Sequence, residues 1–176
     1  GNPVRAEIAA LHNVIYHLPN LEITAEKKPD QKMGYDILLA SEFHDEEENN
    51  QPQYFNILII GGSGGAKIFS EVLPKAFFNL GEYLKEKIRV VQQCRKELVN
   101  STFDQYKSFN INITIDSFFE DMPELIKEAH LVIARSGAST IFELAVSGRP
   151  AILVPLPTSM DNHQYYNANA FEDVGG

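Results

Sequence analysis

Apolar residues follow two alternating patterns along most of this chain. From residue 55 onward, short apolar runs alternate with longer stretches in which apolar positions recur every three or four residues. The short runs predict strands, at 56–60, 88–92, 111–115, 131–134 and 150–154. The longer stretches predict helices, at 65–80, about 95–107, 121–129, 138–147 and from about 161. This alternation predicts an α/β fold with a doubly wound parallel sheet and right-handed crossovers.

The chain before residue 55 is patterned differently. Residues 4–18 carry apolar positions at helical spacing and predict a helix. Residues 20–54 are irregular, with a possible strand at 36–40 and an acidic run at 45–50. We interpret the acidic run as a solvated surface loop of one domain that spans 1–176.

Two glycine-containing turns follow predicted strands and precede predicted helices. One is Gly61–Ala66, with four glycines around Ser63, and the other is Arg135–Gly137. A helix that opens on small residues presents free N–H groups and a positive dipole end, which suit a phosphate. Glycines let the backbone approach a ligand closely, and Ser63 adds a hydroxyl. Ligands of such sheets lie beyond the carboxyl ends of the strands, so the two turns indicate a nucleotide site.

Glu143 supports this interpretation, although it also has a purely structural one. A carboxylate one or two turns into the helix can accept hydrogen bonds from a pair of sugar hydroxyls. Alternatively, Thr140 and Glu143 fit a capping box, which implies no ligand. The first turn is neither a Walker loop nor a complete dinucleotide fingerprint, because Lys67 stands where the third glycine belongs.

The same edge of the sheet receives further candidates. Backbone amides of Phe118–Met122 could face the crevice, with at least one phenylalanine side chain in the core. Gln164, beside His163 at the start of the last helix, could bind sugar hydroxyls, and Arg5 could bind a phosphate. Each of these also has an ordinary surface interpretation.

Composition narrows the class of protein. The chain has 176 residues, 44% of them hydrophobic, which is enough for one sizeable core. Its formal charge of −9 argues against a nucleic-acid partner. Cys94 is the single cysteine, so we expect no disulfides and a reducing compartment. No apolar run reaches the ~18 residues of a membrane span, and no signal peptide is visible.

Neither a metal nor a cofactor is expected. The five histidines are scattered, and no Gly-x-Ser-x-Gly elbow or comparable nucleophile stands out. Because the chain starts at Gly1 without an initiator methionine, we expect it to be a piece of a longer protein.

These motifs together resemble the carboxyl-terminal half of the MurG family, bacterial glycosyltransferases that add N-acetylglucosamine to lipid I in peptidoglycan synthesis. The resemblance covers nearly the whole chain except about 20–54. It is carried by six segments in order: Gly1–Arg5, Gly61–Ala66, Phe119–Met122, Arg135–Glu143, Pro150–Pro155 and His163–Ala168. It implies a Rossmann-like domain, one half of a two-domain GT-B fold, that binds UDP-N-acetylglucosamine for an inverting hexosyl transfer.

The resemblance also implies roles for individual residues. Arg5 and Ser63 would contact the diphosphate, and the backbone of Phe119 would read the uracil edge. Glu143 would hold the ribose, and Gln164, with His163, the sugar hydroxyls. The helix-start amides near the nucleotide would be those of Ala138, Ser139 and Thr140.

Other family functions would belong to the amino-terminal half, which we expect to be absent here together with the last strand and closing helix. That half binds lipid I and carries the general base, so no catalytic residue is expected in this chain. It would also mediate peripheral association with the cytoplasmic face of the bacterial inner membrane.

The sequence departs from the family in three places. Gln92–Arg95 replaces the usual His-Gln-Ser/Thr-Gly, Gly64 stands where Gln or Leu is common, and the long acidic insert in 20–54 has no counterpart that can be aligned. Two other functions stay open. One is a UDP-N-acetylglucosamine epimerase, and the other is the donor-binding subunit of a two-chain N-acetylglucosamine transferase.

Overall fold

A computed structural model of the chain describes residues 4–14, 16–19, 54–62 and 66–175. Within these ranges, five parallel strands form one sheet. They are β1 (Phe55–Ile60), β2 (Ile88–Gln93), β3 (Asn112–Asp116), β4 (Leu131–Ala134) and β5 (Ala151–Leu153). All five predicted strands are confirmed within one residue or so at each end. The possible strand at 36–40 and the acidic run lie outside the described residues.

Helices connect and flank these strands. They are α1 (Ala6–Ala9), α2 (Lys67–Phe78), α3 (Glu82–Lys87), α4 (Val99–Ser108), α5 (Met122–Glu128), α6 (Ala138–Ser147) and α7 (His163–Asp173). Short 3-10 turns extend α1 at Ala10–Asn13 and precede α4 and α7 at Lys96–Leu98 and Met160–Asn162. The helix predicted to reach residue 80 ends at Phe78, and the sequence pattern gave no indication of α3.

The long helix predicted over 4–18 is wrong. Helical structure ends at Asn13, and Val14 has an extended backbone. Ile8 and Leu11 are buried, whereas Leu18 is 56% exposed. Just beyond this point the Tyr16 hydroxyl donates a hydrogen bond to the carbonyl of His130, at 2.6 Å, which ties the segment to the start of β4.

The sheet has the strand order β3-β2-β1-β4-β5. The chain adds strands outward from β1 to β3, and then returns to place β4 on the other side of β1. The order therefore reverses between β1 and β4, where Ile60 pairs with Ala134 at the carboxyl ends. In open α/β sheets, ligands bind in the crevice at such a switch point.

Alternating strand residues fill two cores, one on each face of the sheet. Leu58 and Val132 pack with α1, α5, α6 and α7 on one face. Ile57, Ile59 and Ile133 pack with α2 and α4 on the other. This arrangement explains the nearly continuous apolar runs of the sequence and confirms the doubly wound α/β fold.

Helix α2 buries only some of its apolar side chains. Phe69 is 3% exposed and Leu73 packs on the core, but Ile68 and Val72 are 39% and 48% exposed. Residues four apart share a helix face, so Phe69, Leu73 and Phe77 form the buried stripe, whereas Ile68 and Val72 lie on its flank.

Candidate functional site

The two glycine-containing turns emerge side by side at the switch point. The backbone N–H of Arg135 donates to the carbonyl of Ile60, at 3.3 Å, so the turn after β4 is joined to the end of β1. Gly62, just beyond β1, has a φ of 78°, a conformation that favours glycine. The predicted contact Ser63 and the departure at Gly64 lie outside the described residues.

Helix α6 begins at the switch point without a side-chain cap. Its N-cap is Gly137, with φ −65° and ψ 149°, and no side chain there accepts a hydrogen bond. The first hydrogen bond of the helix is donated by the backbone N–H of Ile141 to the carbonyl of Gly137, at 3.0 Å. The amides of Ala138, Ser139 and Thr140 therefore precede the helical ladder, as an anion site requires.

The capping-box alternative for Thr140 and Glu143 is wrong. Thr140 is the third residue of the helix, not its N-cap. The Glu143 carboxylate points instead to Arg5, whose Nε and Nη2 donate to its two oxygens at 2.8 and 2.9 Å. The Glu143 side chain is 13% exposed and that of Arg5 is 45% exposed. The structure thus brings together two candidate site residues that are 138 residues apart in sequence.

Gln164 lies in the first turn of α7, and its side chain is hydrogen-bonded to the loop that follows β5. Its side-chain Oε1 accepts a hydrogen bond from the backbone N–H of Leu156, at 3.0 Å. Its own backbone carbonyl accepts one from the hydroxyl of Ser136, at 2.7 Å. His163 Nδ1 lies 2.8 Å from the carbonyl of Met160, which places this ring against its own turn.

Arg135 holds the same loop from the β4 side. Its Nη1 donates to the carbonyls of Val154 and Pro155, at 2.9 and 2.8 Å, and its guanidinium lies over the Phe69 ring. Burial lowers the pKa of Arg135 from its usual value. Arg135 is thereby a structural link between the turn after β4 and the loop after β5.

The segment after β3 supplies a backbone amide and one core side chain. Phe119 is half-buried and packs against a core cluster, whereas Phe118 is 69% exposed. The carboxylate of Asp116 accepts the N–H of Ser117 at 2.6 Å. Among the described residues, no acceptor is found for the backbone N–H of Phe119.

Two residues of the departing segment Gln92–Arg95, Gln92 and Cys94, direct their polar groups into the fold. Gln92 is fully buried; its Oε1 accepts from the Tyr106 hydroxyl at 2.7 Å, and its Nε2 donates to Ser70 Oγ at 3.3 Å. Ser70 Oγ also lies 3.1 Å from Cys94 Sγ. Burial raises the pKa of Tyr106 well above its usual value, so its hydroxyl stays a donor. The departure thus forms a buried polar network.

The sequence interpretation missed Ser136, Arg135 and Asn167 as parts of the site. All three lie in motifs that it quoted, but hydrogen bonds between these motifs need the folded chain. In the part of the chain that the structure describes, no group of three or more His, Cys, Asp or Glu side chains could hold a metal. Nor is any of its helices long and apolar enough to cross a membrane.

Comparison with known proteins agrees with this geometry. The model of the glycosyltransferase family 28 C-terminal domain matches residues 56–176. The chain is 53% identical over 120 residues to the UDP-N-acetylglucosamine–N-acetylmuramyl-(pentapeptide) pyrophosphoryl-undecaprenol N-acetylglucosamine transferase of Paramagnetospirillum magneticum, covering 68% of this chain and 32% of that protein. It is 40% identical to the enzyme of the same name from Granulibacter bethesdensis over 176 residues, which is all of this chain and 38% of that protein.

A solved structure is similar as well. The crystal structure of MurG from Acinetobacter baumannii has a TM-score of 0.64 and 37% sequence identity, covering 74% of this chain and 39% of that one. The chain spans only about a third to two fifths of the length of these relatives. The family match over most of the chain shows that it belongs to the glycosyltransferase family 28 C-terminal domain family.

Proposed function

We propose that this chain is the UDP-N-acetylglucosamine-binding domain of an inverting hexosyltransferase that converts lipid I to lipid II in peptidoglycan synthesis. The relatives named above carry this donor and acceptor in their names. We further propose that residues 1–176 form one domain, with the insert at about 20–54 as part of it.

The observation that carries this proposal is the set of groups beyond the carboxyl ends of the strands. The uncapped start of α6 offers amides to a diphosphate, and Arg5 adds a cation. Glu143, in the second turn of the same helix, offers a carboxylate to the ribose. Gln164 offers an amide to the sugar, and Phe119 a free N–H to the base.

These groups suit the donor side of the reaction. In an inverting transfer, the acceptor hydroxyl attacks the anomeric carbon while UDP departs. Arg5 and the α6 amides would stabilise the charge that develops on the diphosphate. The base that takes the acceptor proton, and the lipid I site, would lie in the rest of the longer protein. That part would also provide peripheral association with the cytoplasmic face of the bacterial inner membrane.

Calorimetric titration of the chain with UDP-N-acetylglucosamine, UDP and NAD tests the proposal. We expect binding of both uridine ligands and none of NAD. Arg5→Ala should weaken both uridine ligands. Lys127→Ala is its matched control, because Lys127 pairs with Glu124 on α5 and has a similar exposure of 43%. Binding of NAD without UDP, or equal effects of the two substitutions, would contradict the proposal.

A further inference from the structure

Helix α7, which carries Gln164, has no cap of its own. Its N-cap Asn162 has φ 53° and makes no side-chain cap, and Asp161 before it has φ 49°. Non-glycine residues rarely adopt this left-handed conformation. No acidic residue in the first turn complements the helix dipole either. Neither a side-chain cap nor an acidic first turn therefore fixes where α7 begins, and contacts from another segment contribute.

Ser136 provides those contacts. It is fully buried in the turn after β4. Its hydroxyl donates to the carbonyl of Gln164 at 2.7 Å, and its own carbonyl accepts from Asn167 Nδ2 at 3.0 Å. One residue thus binds two positions of α7 that lie a turn apart. These bonds fix the start of α7 to the turn from which α6 begins.

The side chain of Gln164 is oriented as well. Its Oε1 is occupied by the N–H of Leu156, at 3.0 Å, in the loop that Arg135 holds. The two N–H groups of Nε2 remain to face a ligand. With its backbone held and its carbonyl oxygen engaged by Leu156, the Gln164 amide offers its Nε2 N–H groups to a ligand.

We propose that Ser136 and Asn167 are positioning residues that hold the Gln164 amide as a hydrogen-bond donor to the hydroxyls of the bound sugar. This inference rests on the proposed function, because it assigns the sugar part of the donor to Gln164. The buried Ser136 hydroxyl cannot reach the sugar itself. Its loss should nevertheless lower the affinity for the nucleotide sugar relative to that for the nucleotide alone.

The test compares calorimetric affinities of the chain for UDP-N-acetylglucosamine and for UDP. Three substitutions should each weaken the affinity for UDP-N-acetylglucosamine by roughly three- to tenfold, which is the effect of losing one hydrogen bond. They are Ser136→Ala, Asn167→Ala and Gln164→Ala. Affinity for UDP should change by less than about twofold. Combining Ser136→Ala with Gln164→Ala should cost no more than Gln164→Ala alone, because the two act through one contact.

Two further variants separate positioning from general damage. Ser147→Ala removes another buried serine hydroxyl, which donates to the carbonyl of Leu144 near the far end of α6 at 3.1 Å, and should leave the affinity ratio unchanged. Gln164→Glu keeps the acceptor for Leu156 but has no N–H, so it should lose sugar affinity as Gln164→Ala does. Melting curves identify any variant that does not fold, and Asn167→Ala carries the test if Ser136→Ala fails to fold.

The outcomes distinguish the two proposals. If Gln164→Ala leaves the affinity ratio unchanged, the sugar contact in the proposed function is wrong. If Gln164→Ala lowers the ratio but folded Ser136→Ala and Asn167→Ala do not, the positioning inference is overturned and the proposed function stands.

Discussion

Arg5 and Glu143 are 138 residues apart in sequence and form a two-point ion pair at the switch point of the sheet. The pair joins the segment before α1 to the second turn of α6. Both residues are proposed to contact the donor, and the ion pair engages the groups that each of them would offer to it. A ribose on Glu143 and a diphosphate beside Arg5 can either rearrange this pair or bind around it.

Glu143→Ala should weaken UDP binding by about 1–3 kcal/mol, because charge-assisted hydrogen bonds to the ribose would be lost. The loss of the ion pair should cost the fold under about 1 kcal/mol, since Arg5 is nearly half exposed. Calorimetry and thermal melting on the same variant measure the two effects. Glu124→Ala, which breaks the comparable exposed pair with Lys127, should leave UDP affinity unchanged. A destabilised Glu143→Ala with normal UDP affinity would assign Glu143 a structural role only.

Gln164→Ala should separate the two ligands. UDP lacks the sugar, so its affinity should be nearly unaffected, whereas UDP-N-acetylglucosamine should lose on the order of 1 kcal/mol. His163→Ala provides a comparison at the neighbouring residue, whose Nδ1 already lies against the Met160 carbonyl. Titrations with both ligands make the measurement, and equal losses for the two would place Gln164 away from the sugar.

The network behind β2 should matter for stability and not for the donor. Tyr106→Phe removes the donor to the fully buried Oε1 of Gln92 and should lower the free energy of unfolding by about 1–3 kcal/mol. Urea denaturation measures this, and Tyr165→Phe, at an exposed tyrosine on α7, is the control. An unchanged stability would mean that Gln92 finds another donor, and a lost UDP affinity would mean that the network shapes the site.

His130 should make the fold sensitive to acid. Its Nδ1 accepts the backbone N–H of Asn56 at 2.8 Å, which only the unprotonated nitrogen can do. Burial, followed by the nearby Arg149 charge, lowers the pKa of His130 below its usual value of 6.5. The unfolded chain therefore binds a proton first. The contribution of His130 to stability should be constant above the pKa of this residue in the unfolded chain. It should fall as the pH drops through that value and level off below the pKa in the folded protein.

Denaturation at several pH values checks this dependence. His130→Asn, whose side-chain oxygen can accept the same N–H, should reduce the slope with pH below about 6.5. His12→Asn, at an exposed histidine, is the matched control. An unchanged slope in His130→Asn would assign the acid sensitivity to other groups.

Local sequence patterns were enough to predict the strands of the sheet and the turn from β4 to α6. The run at 131–134 is apolar on both faces and is followed by small residues, so β4 and the beginning of α6 were predicted at the positions observed. The flank of α2 was not, because Ile68 and Val72 are apolar and only the packed fold shows that they face outward. Apolar spacing alone therefore identifies a helix more reliably than its buried face.

Contacts between distant segments could not be predicted in this way. The hydrogen bond from Tyr16 to His130 lies just beyond the first helical segment, and Glu143 pairs with Arg5 instead of forming the alternative capping box. The bonds of Ser136 to α7 likewise join segments that are far apart in sequence. Each of these contacts depends on which segments the topology brings to the same edge of the sheet.

The central claim is that this chain supplies donor binding but not transfer. Transfer needs a base at the acceptor hydroxyl and an acceptor held against the donor, and the proposed site has neither. The most direct measurement incubates labelled UDP-N-acetylglucosamine and a lipid I analogue with the chain. A parallel reaction uses a chimera in which the chain replaces the matching 176-residue stretch of the Granulibacter bethesdensis relative. We predict donor binding by both proteins and label transfer by the chimera alone. Transfer by the isolated chain, or a chimera that binds no donor, would contradict the account.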